Sequence, residues 1–337
     1  MDLLKKLTEA FGMPGWESEI RRCICAELEG LASGVRIDRM GNIIADINPG
    51  CGGRHIALAT HMDETGLMVK SIDAGGFLRF TAWGTDKRVL PGKLVIVGEK
   101  KVPGVIGIKP VHSLKPEEKG KFLETAQLYI DIGAASKEEA ARLVSPGEYV
   151  GLEAPFTRMG DGLVSARGLD ARAGCAAIIE ALRDGACTRG RRITAVFCAQ
   201  KETGLRGSAV AANQVAADMI VSLDGMDAAP DGAEARRRGL PELGAGPALV
   251  LKDKSALYPR DAFLEVRAAA ERRGIPWQLL SAGEEKSESG SFQQARGGAR
   301  VVGVGIPVRY ARTSAAMMRL SDYENTISLL KSYLAQE

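Results

Sequence analysis

Leu3, Leu4, Leu7 and Phe11 recur at helical spacing until Gly12 and Pro14 end the pattern, which predicts an N-terminal amphipathic helix. A second helix is expected over Ser18 to Leu28. Apolar runs on either side of Met40-Gly41 predict a hairpin between Arg36–Asp38 and Asn42–Ile47. His55 to Thr60 is a continuous apolar run and reads as a buried strand, with His61-Met62-Asp63-Glu64-Thr65-Gly66 at its C-terminal end. After Gly66 the pattern changes to short β-like runs broken by glycine and proline, such as Leu78-Arg79-Phe80, Leu94 to Val97 and Val105-Ile106. One short helix follows where Ser136 and Glu139 have capping-box spacing.

From about Ala166 strands and helices alternate. Helices are expected over Ala173–Leu182, Leu205–Val215, Tyr258–Arg273 and Tyr323–Leu334, the last opening on a capping box between Ser321 and Glu324. Strands are expected over Ile193–Cys198, Met219–Leu223 and Val301–Val304. This alternation predicts the α/β class, a sheet covered by helices on both faces and interrupted by a small β-barrel-like domain. The expected boundaries are 1–66 with 160–337 for the α/β part and 67–159 for the insertion.

Composition narrows the function classes. Apolar residues at 45% and charged residues at 26% describe a soluble globular chain, not a disordered or fibrous one. A net charge of +3 is too small to argue for nucleic acid, and the basic clusters Arg189–Arg192 and Arg236–Arg238 read as solvated surface. The six cysteines (Cys23, Cys25, Cys51, Cys175, Cys187 and Cys198) show no zinc-ribbon spacing and read as buried or incidental thiols of a reducing compartment. The N-terminus lacks a signal-peptide apolar region, and no apolar run approaches the ~20 residues of a membrane span, so a cytoplasmic protein is expected. Histidine occurs three times, at His55, His61 and His112, so any metal site must lean on carboxylates.

Functional residues of open α/β sheets lie beyond the C-terminal ends of the strands. Those ends supply His61, Asp63 and Glu64, then Asp170 and Arg172, then Lys201 and Glu202, then Asp224. Singly, each reads as a cap, a turn residue or a surface pair. Together, His61, Asp170, Glu202 and Asp224 put one imidazole and several mutually repelling carboxylates on one rim. That donor set suits a divalent ion such as Zn²⁺, Mn²⁺ or Co²⁺.

Several motifs now combine: His61-Met62-Asp63-Glu64-Thr65-Gly66, Tyr129-Ile130-Asp131-Ile132-Gly133, Leu169-Asp170-Ala171-Arg172-Ala173-Gly174, Gln200-Lys201-Glu202-Thr203-Gly204-Leu205-Arg206-Gly207, Leu243-Gly244-Ala245-Gly246-Pro247 and Ile306-Pro307-Val308-Arg309-Tyr310. With them, nearly the whole chain resembles the glutamyl-aminopeptidase or deblocking-aminopeptidase family of metallopeptidases, some members of which carry the label endoglucanase. The resemblance implies a hydrolase that removes N-terminal residues from short peptides. It also implies a homo-oligomer, typically a tetrahedral dodecamer. A pair of divalent metals would share Asp170, one ion also held by His61 and Asp224, with Asp63 orienting the histidine. The other ion would be held by Glu202 and by a histidine at the position that is Arg312 here. The family's general base, a glutamate, is Lys201 here.

These departures change the expected chemistry. A general base must be unprotonated, whereas a lysine near ~10.4 is charged at neutral pH. A guanidinium has no lone pair for a metal. The two changes add about three positive charges by formal counting, and losing one divalent ion removes two. The expectation is that Lys201 and Arg312 fill the second metal's place, pairing with Glu202 and Asp170, and that the protein carries one ion or none. The alternatives are an enzyme of altered chemistry, with a single metal and Lys201 as a depressed-pKa base or with the cations holding a substrate carboxylate, and a non-catalytic member, a pseudoenzyme that binds peptides or co-assembles with an active relative. His112 reads as a surface or interface residue, and Met317 and Met318 as core or interface. Ser287, Ser289 and Ser291 around Gly290 match a family Gly-Thr-Asp-like loop too poorly to carry pocket residues over.

Overall fold

The computed structural model describes residues 1–113, 124–188 and 190–335. Arg189 therefore lies outside the described residues, as do the side chains of Cys187 and Arg236. Two compact units are present: residues 1–64, 155–311 and 315–337, and residues 65–154 with 312–314.

The first unit is built on an eight-stranded sheet. Its order is Gly34–Ile37, Ile43–Ile47, Arg192–Cys198, His55–His61, Met219–Asp227, Val301–Val308, Ala248–Val250 and Gln278–Leu280. The four middle strands run parallel to one another, and Ile43–Ile47 and Ala248–Val250 flank them antiparallel. His55–His61 is buried at every position because both sheet faces are covered. Side chains alternate between the faces: Ile56 and Leu58 enter one core, Ala57 and Ala59 the other. The larger core also takes in apolar residues of the helices Asp2–Glu9, Ser18–Leu28, Leu169–Leu182, Arg260–Arg272 and Leu320–Leu334. The smaller takes Ala211, from Arg206–Ala211, and Phe292, from Ser289–Gln294. A three-stranded sheet, Thr157–Met159, Leu163–Ala166 and Ala316–Arg319, completes the unit.

The second unit is a closed six-stranded barrel, in the order Gly66–Ile72, Leu78–Trp83, Leu128–Asp131, Val102–Ile108, Leu94–Val97 and Tyr149–Leu152. Its own core holds Leu67, Val69, Phe80, Val95, Ile106, Ile130 and Val150, closed over by Ala140 and Val144 at the helix Lys137–Leu143. Closure removes the unpaired edges that short strands would otherwise expose.

The expected α/β sheet with an inserted β-barrel is thus the fold the chain forms. Local expectations needed correcting. The last helix begins at Leu320, so Ser321 lies inside it and caps nothing. The strand Ala316–Arg319 runs straight into that helix, and the Leu320 N–H donates to the Gly162 carbonyl at 2.8 Å. The helix expected to Val215 ends at Ala211, and the one expected from Ala173 begins at Leu169. At Lys137–Leu143 the Ser136 hydroxyl does accept from the Glu139 N–H, but the Glu139 carboxylate accepts from Ala135 instead of closing the box. His112 is exposed, and Met318 is buried.

Candidate metal centre

Sheet register assembles the site. Cys198 pairs level with His61, so Lys201 and Glu202 follow immediately past the rim. Ser222 pairs level with Ala59, which carries Asp224 to the same height as His61 on the next strand. Asp170 comes from the first turn of Leu169–Leu182, where a carboxylate also complements the helix dipole. Gly168 starts that turn with a left-handed backbone, φ 61°. Gly225 lets the helix approach the sheet: a Cβ there would lie 2.4 Å from the Asp170 Cα.

His61 is fully buried and held at both ring nitrogens. Nε2 lies 3.1 Å from Asp224 Oδ1, and Nδ1 lies 3.0 Å from the Asp63 carbonyl and 3.6 Å from its carboxylate. The Asp63 carboxylate accepts from the backbone N–H groups of both Lys201 and Glu202, each at 2.9 Å. It therefore fixes the turn that presents those two side chains. Among the described residues, donor atoms of His61, Asp170 and Glu202 lie within 4.8 Å of one another, a possible metal cluster. Asp224 is outside that trio and meets it through His61.

Lys201 stands within this cluster. Its Nζ lies 3.3 Å from Asp224 Oδ2 and 3.5 Å from Glu202 Oε1. Its two carboxylate partners are thus Glu202 and Asp224. Arg312 follows the strand Val301–Val308, half-buried with a left-handed backbone (φ 63°), and groups with the barrel unit. Glu64 and Arg172, both on the expected rim, form a separate buried brace in which Glu64 Oε1 accepts from Arg167 at 2.5 Å and from Arg172 at 3.0 Å.

The electrostatics follow from burial and crowding. Burial and Lys201 push the His61 imidazolium down, but Asp224 and Asp63 outweigh them and hold it well above the ordinary range. Burial likewise pushes the Lys201 ammonium down, and Asp224, Glu202, Glu288 and Asp170 together raise it well above the lysine range. Burial lifts the Glu202 carboxyl against the pull of Lys201, with Asp170 adding to the lift. Asp224 stays below its usual range because Lys201 and His61 overcome the effect of burial.

One charged neighbour escaped the sequence reading. Glu288 is fully buried, and neither carboxylate oxygen has a hydrogen-bond partner among the described residues. Burial and the nearby Asp224 push it up to about 7, against His61 and Lys201. It lies between Ser287 and Ser289 in a stretch that reads as polar loop, so no local signal marks it.

Three donors meet at His61, Asp170 and Glu202. One of that trio's carboxylates, Glu202, already faces the Lys201 ammonium, as does Asp224 beside it.

Comparison with known proteins agrees with this architecture. The family model described as M42 glutamyl aminopeptidase matches residues 41–329. A lysyl aminopeptidase of Pyrococcus furiosus is 30% identical over 342 residues, covering 99% of this chain and 96% of that protein. The crystal structure of a TET aminopeptidase from a marine-sediment thaumarchaeote superposes with a TM-score of 0.93 at 30% identity, covering 100% of this chain and 96% of that one. The Pyrococcus horikoshii TET1 peptidase, which assembles into a tetrahedron or a large octahedral shell, gives a TM-score of 0.87 at 32% identity over 98% of each chain. The chain belongs to the M42 glutamyl aminopeptidase family, whose members are metallopeptidases.

Proposed function

We propose that this chain acts on the N-terminal residues of short peptides as an aminopeptidase with an altered, weakened centre. The observation that carries the reading is the convergence of His61, Asp170, Glu202 and Asp224 at the strand ends of this family's fold. In such centres a divalent ion supplies Lewis-acid polarisation of the scissile carbonyl. The residues of this chain supply a different proton economy. Lys201 takes the general-base position, and an ammonium held charged by its neighbours has no lone pair with which to take a proton. Asp63 holds the turn bearing Lys201 and Glu202, and Glu202 remains the acidic group of that turn. The ion set is one divalent ion or none, and the working assembly is a homo-oligomer of the tetrahedral, dodecameric kind.

Hydrolysis of aminoacyl-nitroanilides with added Co²⁺ or Zn²⁺ tests this. Because a positioned base contributes about 10²–10⁴-fold, the wild type should run at least ~100-fold below a K201E/R312H double variant. Equal rates in the two proteins would overturn the reading. The two ion pairs that tie down Lys201 favour a second reading, a non-catalytic peptide-binding or co-assembling member. Short peptides that bind both proteins and are cleaved by neither would establish it.

A further inference from the structure

We infer that the Lys201 ammonium is the resident counter-ion of Asp224 and Glu202, standing in for a divalent ion, so that the protein folds without metal. This rests on reading the cluster as the family's reaction centre. The argument begins with the backbone. Both N–H groups of the Lys201–Glu202 step are tied to Asp63 at 2.9 Å, and the Lys201 carbonyl accepts from Gly204 and Leu205 at 3.0 Å each. The root of the side chain is thus fixed from both sides, and only 8% of the residue is exposed. A buried ammonium must find carboxylates, and Lys201 reaches two. They are the two that the resemblance divides between separate metal ions, Asp224 for one and Glu202 for the other. One ammonium therefore bridges the anions of both ion positions. The other oxygen of Asp224 is already engaged by His61 Nε2 at 3.1 Å. Any divalent ion coordinated by Asp224 or Glu202 would have to share its ligand with a fixed positive charge. At a few ångströms that repulsion offsets a large part of a carboxylate's ordinary attraction.

The test uses the full-length protein purified with Zn²⁺ present and dialysed against metal-free buffer. Elemental analysis should find well under one ion per chain in the wild type, and EDTA should leave its unfolding temperature unchanged. Lys201→Arg, which keeps the charge, should behave the same way. Lys201→Met and Lys201→Glu should acquire zinc, with affinity raised at least ~100-fold and an unfolding temperature that now rises with zinc. A wild type that retains one or more ions per chain, or that loses stability to EDTA, overturns the inference even if the variants fail to fold. An ion-free wild type that neither binds nor cleaves peptides would remove the functional reading and leave this inference standing. An ion-loaded wild type that cleaves peptides would do the reverse.

Discussion

At the scale of single residues, Glu288 is a carboxyl whose burial is costly. A carboxyl with both oxygens buried and unpartnered keeps its proton, which is why it titrates near 7 in the fold against 4.5 in an open chain. Between those values the folded state holds a proton that the unfolded state has released. Stability must therefore fall as pH rises through that window, by roughly 3 kcal/mol across the full interval. Glu288→Gln removes the titration. We expect the variant to match the wild type near pH 4.5 and to be the more stable of the two at pH 7.5. Urea unfolding at both values checks it, and an unchanged difference between the proteins at the two pH values would contradict it. His61, Asp170, Glu202 and Asp224 could be named from the chain because strand ends are where α/β sheets place chemistry. Glu288 could not, because its burial depends on the packing of Ser289–Gln294 beside distant strands, which leaves no mark in its neighbours.

Among the elements, legibility followed length and uniformity. The strand His55–His61 announces itself because burial on both faces demands a continuous apolar run. Ala248–Val250, Gln278–Leu280 and Thr157–Met159 are three residues each, too short for any periodicity to mark them. The misplaced start of the final helix has the same origin. Ser321 and Glu324 have the right spacing for a cap, but a strand leading directly into the helix makes a cap unnecessary. The element on which the site depends most is Leu169–Leu182, whose closeness to the sheet requires the missing side chain of Gly225. Gly225→Ala would place a methyl 2.4 Å from a backbone atom that cannot swing aside, so the helix itself must move. We expect a loss of about 1–3 kcal/mol, the usual cost of overpacking. It should appear as a lower urea midpoint at unchanged slope, and a midpoint equal to the wild type would show that the helix yields freely.

For the whole molecule, closed barrels and parallel sheets impose different hydrophobic periods, which gives the change of pattern after Gly66 its physical reason. The departures at Lys201 and Arg312 are a different matter. Neither residue is unusual by itself, and each gains meaning only against the family motif that surrounds it. The outer surface carries the last argument. One end of the sheet is Gly34–Ile37, a strand exposed along its length with Val35 and Ile37 at 41% and 54% exposure. The other end, Gln278–Leu280, shows Leu279 at 52%. Edge strands with exposed apolar residues and no covering element are sites where chains pair. A homo-oligomer would cover such surfaces, and a closed one would do so without growing into filaments. Light scattering on the eluting protein should therefore give one mass, a fixed multiple of 35.8 kDa that does not drift with concentration above the assembly threshold. Replacing both Val35 and Ile37 by lysine should reduce that mass if the first edge is an interface, and leave the circular-dichroism spectrum intact because both side chains lie outside the core. A wild-type mass of 35.8 kDa at micromolar concentration would show that the fold is shared with the shell-forming relatives and the assembly is not.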